Sequence, residues 1–153
     1  GRTVKRIRAL VAIAAFGISV GDLGGYVESD KNLSKVYGDA WVYGNARVYG
    51  DARVYGNARV YGNAQVYGDA QVYGNALVSG DGLIVWFSNV GSENGTLTAY
   101  NAKDNEIEVT RGCFKGSIDE FLAASKKKHD DQTHLEYRLL IEVAHSRITR
   151  ARK

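Results

Sequence analysis

The sequence predicts a mainly β protein in which a short parallel β-solenoid is followed by a small α+β domain. Three observations support this prediction. Residues 36–83 form eight consecutive six-residue units of the type Val-Tyr-Gly-Asn/Asp-Ala-x, irregular only in the last unit. A fixed period of this kind is typical of repeat architectures. After residue 83 the period is lost, and three segments with strand composition precede two segments with helix signals.

Within each unit, small apolar residues alternate with larger side chains. In the segment 46–49, Ala46 and Val48 fall on one face of an extended strand, and Arg47 and Tyr49 fall on the other. The Gly and Asn or Asp that follow favour a bend, because both residue types tolerate left-handed backbone angles. The pattern therefore predicts a short strand and a corner every six residues. Alanine and valine fill the inside, which leaves no internal cavity for a ligand.

The repeated units resemble those of the hexapeptide-repeat, left-handed β-helix proteins. This resemblance implies a left-handed winding, three hexads in each triangular coil of eighteen residues, and a homotrimer. Residues eighteen positions apart would then stack at the strand spacing of about 4.8 Å. The expected tyrosine ladders are Tyr37 with Tyr55 and Tyr73, Tyr43 with Tyr61, and Tyr49 with Tyr67. The other expected outward rows are Trp41 with Arg59 and Leu77, Arg47 with Gln65, and Arg53 with Gln71.

Residues 1–35 are predicted to cap the first coil. Val4 to Ile13 and Phe16 to Val20 have the composition of two strands of a hairpin, and residues 21–28 form a glycine-rich segment that we interpret as a turn. A cap would cover the unpaired backbone groups of a terminal coil. The alternative is a secretory signal, since basic residues precede the apolar run 9–20. That run is too short to span a membrane, and no small-x-small cleavage site follows it.

Residues 84–153 are predicted to form the α+β domain, with three strands and two helices. The strands are expected at Leu83 to Phe87, Thr96 to Tyr100 and Glu106 to Thr110. Two capping boxes, Ser117 with Glu120 and Thr133 with Glu136, predict the helix starts. The expected buried stripes are Ile118, Phe121 and Leu122 in the first helix, and Leu135, Leu139, Leu140, Val143 and Ala144 in the second.

Further segments resemble proteins of bacteriophages and prophages. Arg6 to Leu10, Gly21 to Glu28 and the repeats together resemble one such family. Ser88 to Ser92, Thr96 to Tyr100 and Gly112 to Ser117 resemble a C-terminal module that also occurs in phage proteins. The resemblance implies a protein located in the cytoplasm of an infected or lysogenic bacterium.

The sequence offers little for catalysis. Many hexapeptide-repeat proteins are acyltransferases that use a histidine as base, but residues 36–83 contain no His, Glu or Lys. His129, His134 and His145 fall in or beside the last helix without metal-ligand spacing. Cys113 is the single cysteine and is expected to be a buried structural thiol rather than a reactive one. We therefore predict no catalytic residue, no metal site and no cofactor, and keep an acyltransferase-like enzyme as the alternative.

The predicted function is binding through the surface. Tyrosine and arginine rows on a rigid scaffold are typical of protein interfaces, and they can also stack on planar groups and pair with phosphates. The expected partners are further copies of the chain and a host protein or nucleotide-like molecule, whose capture would antagonise host defence. Neither a membrane nor nucleic acid is expected, because the formal net charge is only +3 and the dense basic clusters lie at a helix end and in the tail. A purely structural oligomerisation module is a further alternative. The candidate contact residues are Tyr43, Arg47, Tyr49, Arg53, Tyr55, Arg59, Tyr61, Ser92, Asn94 and Arg111.

Overall fold

The computed structural model of the chain describes residues 1–34 and 38–153. Val36 and Tyr37, with which the predicted repeat and the first tyrosine ladder begin, lie outside the described residues. The described chain is rich in β-structure, with a solenoid of very short strands, an antiparallel sheet and two helices. None of its helices combines the length and the apolar character needed to cross a membrane.

The N-terminal segment contributes a hairpin that joins the solenoid. Strand β1 (Lys5–Arg8) pairs antiparallel with β2 (Leu23–Val27), and β2 then pairs in parallel with the solenoid, Tyr26 lying opposite Arg47. The expected second strand at residues 16–20 is wrong. A 3-10 turn at Ala14–Phe16 occupies part of that region, and an isolated bridge joins Ile13 and Ile18 on either side of it.

The glycine-rich segment is a strand rather than the expected turn because its glycines permit close backbone contact. A Cβ atom on Gly24 would lie 2.5 Å from the carbonyl oxygen of Val42, and one on Gly25 would lie 2.7 Å from that of Ala46. Any other residue would push β2 away from the solenoid. These glycines therefore mark a close approach of two backbone segments.

The repeat forms seven two-residue strands that begin at intervals of six residues. They are β3 (Trp41–Val42), β4 (Arg47–Val48), β5 (Arg53–Val54), β6 (Arg59–Val60), β7 (Gln65–Val66), β8 (Gln71–Val72) and β9 (Leu77–Val78). Each pairs in parallel with the strand eighteen residues away, in the stacks β3-β6-β9, β4-β7 and β5-β8. The expected outward rows, such as Arg47 opposite Gln65, therefore form.

The alternation of side chains along the repeat separates the core from the surface as predicted. The alanines and valines from Val42 to Val78, two in each unit, are fully buried and form one continuous cluster. Burial of apolar side chains contributes most of the favourable free energy of folding. The tyrosines and most of the larger polar side chains between them stay partly or fully exposed.

The C-terminal part forms a four-stranded antiparallel sheet in which neighbouring strands are also consecutive in sequence. Its strands are β10 (Ile84–Val90), β11 (Gly95–Asn101), β12 (Ile107–Arg111) and β13 (Phe114–Ser117). The first three confirm the predicted strands. The fourth strand was not predicted, because it is only four residues long and one of these residues is glycine, which is rare in strands.

Two helices follow the sheet. Helix α1 (Ile118–Lys128) begins at the predicted capping box: Ser117 Oγ accepts a hydrogen bond from the Glu120 N–H, and the Glu120 carboxylate accepts one from the Ser117 N–H. Helix α2 (Asp131–Ala151) begins three residues earlier than predicted, since a helix capped by Thr133 would begin at His134. Its N-cap is Asp130, which accepts a hydrogen bond from the Thr133 N–H at 2.8 Å. Aspartate is at least as good an N-cap as threonine, so the earlier residue starts the helix.

The helices differ in how well their buried faces were predicted. In α1, Phe121 is buried, and Ile118 and Leu122 pack against the same core, as expected. In α2, Ala144 is buried and Leu140 packs against the core, but the rest of the expected stripe is wrong. Leu135, Leu139 and Val143 are exposed, and the residues buried beside Ala144 are Tyr137, Ile141 and Ile148.

The C-terminal sheet closes the end of the solenoid. Thr98 Oγ1 accepts a hydrogen bond from the Gln71 N–H at 3.0 Å, and Thr110 Oγ1 donates one to the Gln71 carbonyl at 2.8 Å. The two hydroxyl groups thus satisfy backbone groups of β8 that another strand would otherwise pair with. Tyr100 from β11 is fully buried in the solenoid core, and its hydroxyl donates to Glu108 at 3.3 Å. Burial, together with the Glu108 carboxylate, raises the pKa of the Tyr100 phenol.

Candidate functional site

The tyrosines of the repeat form stacked pairs along the solenoid. The ring centroids are 4.9 Å apart for Tyr43 and Tyr61, and 5.1 Å apart for Tyr49 and Tyr67, with nearly parallel rings. Tyr55 and Tyr73 are 4.5 Å apart with rings tilted by 40°. Burial in the stacks and the neighbouring phenol raise the pKa values of Tyr43, Tyr49 and Tyr55.

One of the expected outward rows is covered by the N-terminal segment. Trp41 is buried in a small cluster with Ala9 and Ile13, against which Phe16 and Tyr43 also pack. The guanidinium carbon of Arg59 lies 3.8 Å from the centroid of the Phe16 ring. Such a contact is a cation–π interaction. Tyr43 and Arg59 therefore contact the chain's own N-terminal segment.

The other two arginine rows reach solvent. Arg47 and Arg53 are both exposed. The tyrosine hydroxyls beside them are already engaged, since Tyr49 donates to Gln65 at 3.2 Å and Tyr55 donates to Gln71 at 3.1 Å. The groups that this surface offers to a partner are therefore the guanidinium groups and the ring edges.

A second candidate surface lies in the C-terminal domain, where a cleft of about 370 Å³ opens between the sheet and the helices. We call it the C-terminal cleft. Its walls are the β10–β11 turn, the β12–β13 turn, and the junction of α1 and α2. Two residues predicted as contacts, Ser92 and Arg111, line this cleft although they are distant in sequence. Asn94 belongs to the same turn as Ser92 and adopts a positive φ of 51°.

The floor of the C-terminal cleft consists of aromatic rings in edge contact. The centroids of Phe114 and Phe121 are 5.3 Å apart, and those of Phe121 and Tyr137 are 5.1 Å apart. The His129 ring follows at 5.5 Å from that of Tyr137. Edge-to-face contacts of this kind stabilise a packed arrangement beyond the area that they bury. Phe121 and Tyr137 are only 4% and 1% exposed, so they hold the floor in place from below, and the partly exposed Phe114 ring presents most of its accessible aromatic surface.

The position of Arg111 at the rim depends on Gly95. A Cβ atom on Gly95 would lie 2.5 Å from Arg111 Nη1, so the guanidinium group lies directly over the strand. Arg111 Nη2 donates to the Val90 carbonyl at 3.3 Å. Arg111 Nε is buried and has no hydrogen-bond partner within residues 1–34 and 38–153.

The α1–α2 junction adds two further basic groups. Lys128 is the last residue of α1, and His129 is its C-cap, and both line the cleft. Ser125 lies one turn earlier on α1, and its hydroxyl group is 3.1 Å from Nδ1 of His134. The rim thus carries the cations Arg111 and Lys128 together with one carboxylate, that of Glu93, so its charge is mixed with a positive excess.

Cys113 also lines the cleft, at the tip of the β12–β13 turn. The expectation that it is buried is wrong, because its thiol is exposed. The turn connects two adjacent antiparallel strands, so its tip points away from the sheet. Across the part of the chain that the structure describes, no three His, Cys, Asp or Glu side chains are grouped so that they could hold a metal ion.

Sequence reasoning missed most of the cleft. Phe121 was assigned to the core alone, and Phe114, Lys128, His129 and Tyr137 were not connected with one another. Tyr137 was overlooked because the neighbouring leucines gave a stronger apolar pattern. A useful signal would have been the basic end of α1, directly followed by His129 and the start of a second helix.

Comparison with known proteins gives a match for the repeat. The family model described as "YdcK Beta solenoid repeat" matches residues 35–54, 52–68 and 70–84. These segments cover about a third of the chain and coincide with the two-residue strands. Comparison with the curated proteins and with the solved structures gave no match. The match supports assignment of the central third of the chain to a β-solenoid repeat family.

Proposed function

We propose that the chain is a non-catalytic binding protein whose C-terminal cleft takes an anionic ligand with a planar, apolar part, such as a nucleotide. In this proposal the solenoid is a rigid support on which the C-terminal domain is docked. The observation that carries it is the position of Arg111 and Lys128 above a floor of aromatic rings.

The chemistry of the cleft agrees with such a ligand. A volume of about 370 Å³ falls within the range of small-molecule sites. Guanidinium groups bind phosphates through paired hydrogen bonds, and aromatic surfaces accept planar rings. Since Arg111 Nε is buried, a phosphate in the cleft would be bound through the terminal nitrogens of the guanidinium group.

Cys113 provides a direct test, because it is the single cysteine of the chain and its exposed thiol lines the cleft. The rate at which iodoacetamide alkylates it would be measured by mass spectrometry with adenosine monophosphate, adenosine or inorganic phosphate present. We expect the nucleotide to slow alkylation more than either fragment does, because only the nucleotide contacts both the rim and the floor. Equal alkylation rates with all three compounds would contradict the proposal.

Matched lysine variants make this test specific. Lys128→Ala removes a residue of the cleft, whereas Lys126→Ala removes a neighbouring charge that does not line it. We expect only the first to weaken protection, by about tenfold in ligand concentration, which corresponds to roughly 1.4 kcal/mol. Thioester cleavage by the purified chain would contradict the non-catalytic part and favour an acyltransferase-like enzyme.

We propose further that the ligand comes from a bacterial host, in whose cytoplasm the chain would act against host defence. This proposal rests on the resemblance of the repeats and of the C-terminal segments to bacteriophage and prophage proteins. Native mass spectrometry of the chain purified from a bacterium would test it. A bound small-molecule mass that Arg111→Ala loses would support it, and an unliganded chain in every preparation would count against it.

Self-association of the solenoid is a second proposal, supported by the exposure of Arg47 and Arg53 beside the tyrosine stacks. We propose that three hexads make one left-handed turn, as in the hexapeptide-repeat proteins, and that three chains assemble through these rows. The pairing of residues eighteen apart is compatible with this winding. Arg47→Glu with Arg53→Glu should break a trimer, while Lys126→Glu should not. An unchanged mass in solution would reject this second proposal.

A further inference from the structure

Helix α2 carries an apolar stripe on the side that faces away from the protein. Leu135, Leu139 and Val143, which we call the α2 stripe, have exposed fractions of 46%, 52% and 48%. Their spacing of four residues places them on one side of the helix. At roughly 100° per residue, Leu139 is opposite Ile148, which is fully buried against the sheet. The stripe therefore has no contact with the domain's own core.

We infer that the α2 stripe is the interface for a second copy of this chain, with the two α2 helices packed side by side and antiparallel. The inference is independent of the ligand proposed for the C-terminal cleft. It rests on the apolar stripe and on the charges at both of its flanks.

The first flank holds Arg138 and Glu142, which are both exposed. In an antiparallel pair related by a two-fold axis, each flank of one helix faces the same flank of the other. If the axis passes near Leu140, Arg138 of one copy lies level with Glu142 of the second copy. On this flank, two ion pairs between arginine and glutamate would therefore form, one at each side of the axis.

The second flank holds Glu136 and Arg147, which are also exposed. Glu136 Oε1 already accepts a hydrogen bond from the Gly91 N–H at 2.8 Å, so Oε2 is the oxygen available to a second copy, and Arg147 lies beside Trp86 of its own chain. With the same axis, Glu136 of one copy comes within about one helical turn of Arg147 of the second copy. A parallel pair would instead place Arg147 and Arg150 of both copies beside each other at the basic end of the helix. The charge distribution, like the helix dipoles, therefore favours the antiparallel arrangement.

The extent of the contact determines what to expect in solution. Helix α2 has 21 residues and is about 31 Å long. A single helix pair of this length lies at the small end of specific interfaces. We therefore expect an equilibrium that depends on protein concentration, with the wild-type mass falling on dilution.

Sedimentation equilibrium of the full chain tests the inference through matched variants. Leu139→Gln should lower the average mass, to half at concentrations where the wild type is fully associated. Leu10→Gln, a change at another exposed leucine, should leave the mass unchanged. Arg138→Glu should weaken association, because each copy would then present two carboxylates on this flank. Arg138→Glu with Glu142→Arg should restore it, since the opposite charges are exchanged.

Cysteine cross-linking tests the direction of the helices and does not depend on the stability of the charge variants. In a Cys113→Ser background, a mixture of Gln132→Cys and Ser146→Cys chains should form a mixed disulfide, because with the axis near Leu140 these two positions come within about 3 Å of the same level. Ser146→Cys alone should not cross-link. Cross-linking of Ser146→Cys with itself would overturn the antiparallel arrangement. A wild-type chain that is monomeric at every concentration would overturn the interface altogether and leave the stripe to a different protein.

Discussion

The side-chain amide of Asn32 donates a hydrogen bond to the carbonyl oxygen of Ala52, 2.8 Å away and twenty residues later in the chain. The same Nδ2 also donates to the Gly50 carbonyl at 3.0 Å, and Oδ1 accepts from the Ser29 N–H at 2.9 Å. Asn32 is fully buried. Its side chain therefore satisfies backbone groups in the first turn of the solenoid that would otherwise be buried without partners. In later turns, a paired strand satisfies such groups.

Replacement of Asn32 by leucine should strongly destabilise the protein. The change leaves several buried backbone groups unsatisfied, so we expect a loss of about 2–4 kcal/mol in the free energy of unfolding. Urea denaturation followed by circular dichroism would measure it. Asn63→Leu is the control: Asn63 is exposed and its side chain accepts a long hydrogen bond of 3.4 Å from Asn45, so the change should cost less than about 1 kcal/mol. Equal losses in the two variants would show that the buried hydrogen bonds are not responsible.

Removal of the Tyr100 ring should open the C-terminal end of the solenoid. Because the ring fills the core of the last turn, Tyr100→Ala should cost about 3–5 kcal/mol. Tyr100→Phe keeps the ring and loses the hydrogen bonds of the phenol with Glu108 and with the backbone of Tyr73, so it should cost about 1–2 kcal/mol. Differential scanning calorimetry would compare the two variants. If the alanine variant unfolded at the same temperature as the phenylalanine variant, the ring would not be what closes the solenoid.

Glu28 should make stability depend on pH in the acid range. Its carboxylate accepts hydrogen bonds from the Gly50 N–H at 2.7 Å and from Arg2 at 2.9 Å. The backbone hydrogen bond first, and Arg2 second, hold the pKa of Glu28 below its ordinary value of 4.5. A carboxyl group whose pKa is lower in the folded than in the unfolded protein stabilises the fold at pH values above its ordinary pKa. This contribution is lost as the pH falls through the lowered pKa.

The comparison of wild type with Glu28→Gln isolates this contribution. The wild type should be more stable than the variant at about pH 7, and the difference should be smaller at about pH 3, below the ordinary pKa of a glutamate. Urea midpoints at both pH values would measure it. A difference that stays constant over this range would mean that ionisation of Glu28 plays no part.

Asn94 should matter for the shape of the turn rather than for direct contact with a ligand. Its φ of 51° lies in the left-handed region, which alanine adopts only at a cost of about 1–2 kcal/mol. Asn94→Gly should therefore keep both stability and ligand protection of Cys113, while Asn94→Ala should lower stability. Thermal unfolding and the alkylation rate would be compared in the same samples. Loss of protection in the glycine variant would show that the Asn94 side chain itself contacts the ligand.

The repeat could be read from sequence because its period specifies both the strands and their outward rows. Arg47 and Tyr49 alternate with buried Ala46 and Val48, and this alternation requires no knowledge of distant residues. The start of α1 was predictable for the same reason, since Ser117 and Glu120 form a purely local motif.

Features that depend on distant contacts were not predictable in this way. From the sequence alone, Gly24 is typical of a turn. Only the structure shows that it is glycine because the carbonyl group of Val42 lies against it. In α2, two apolar stripes compete, and only the position of the sheet decides that Ile148 rather than Leu139 is buried. The C-terminal cleft combines residues from both turns and the helix junction, so no single segment of sequence contains its pattern.

The pairing interval of eighteen residues limits how the length of this protein can change. Both ends of the solenoid are occupied, by β2 at one end and by Thr98 and Thr110 at the other. A duplication of eighteen residues would add one layer of about 4.8 Å and return the chain to the same face, so that both ends could still dock. A duplication of six residues would deliver the C-terminal sheet to the wrong face. Genetic duplications and deletions should therefore add or remove whole layers, so that the distance between the two ends of the solenoid changes in equal steps.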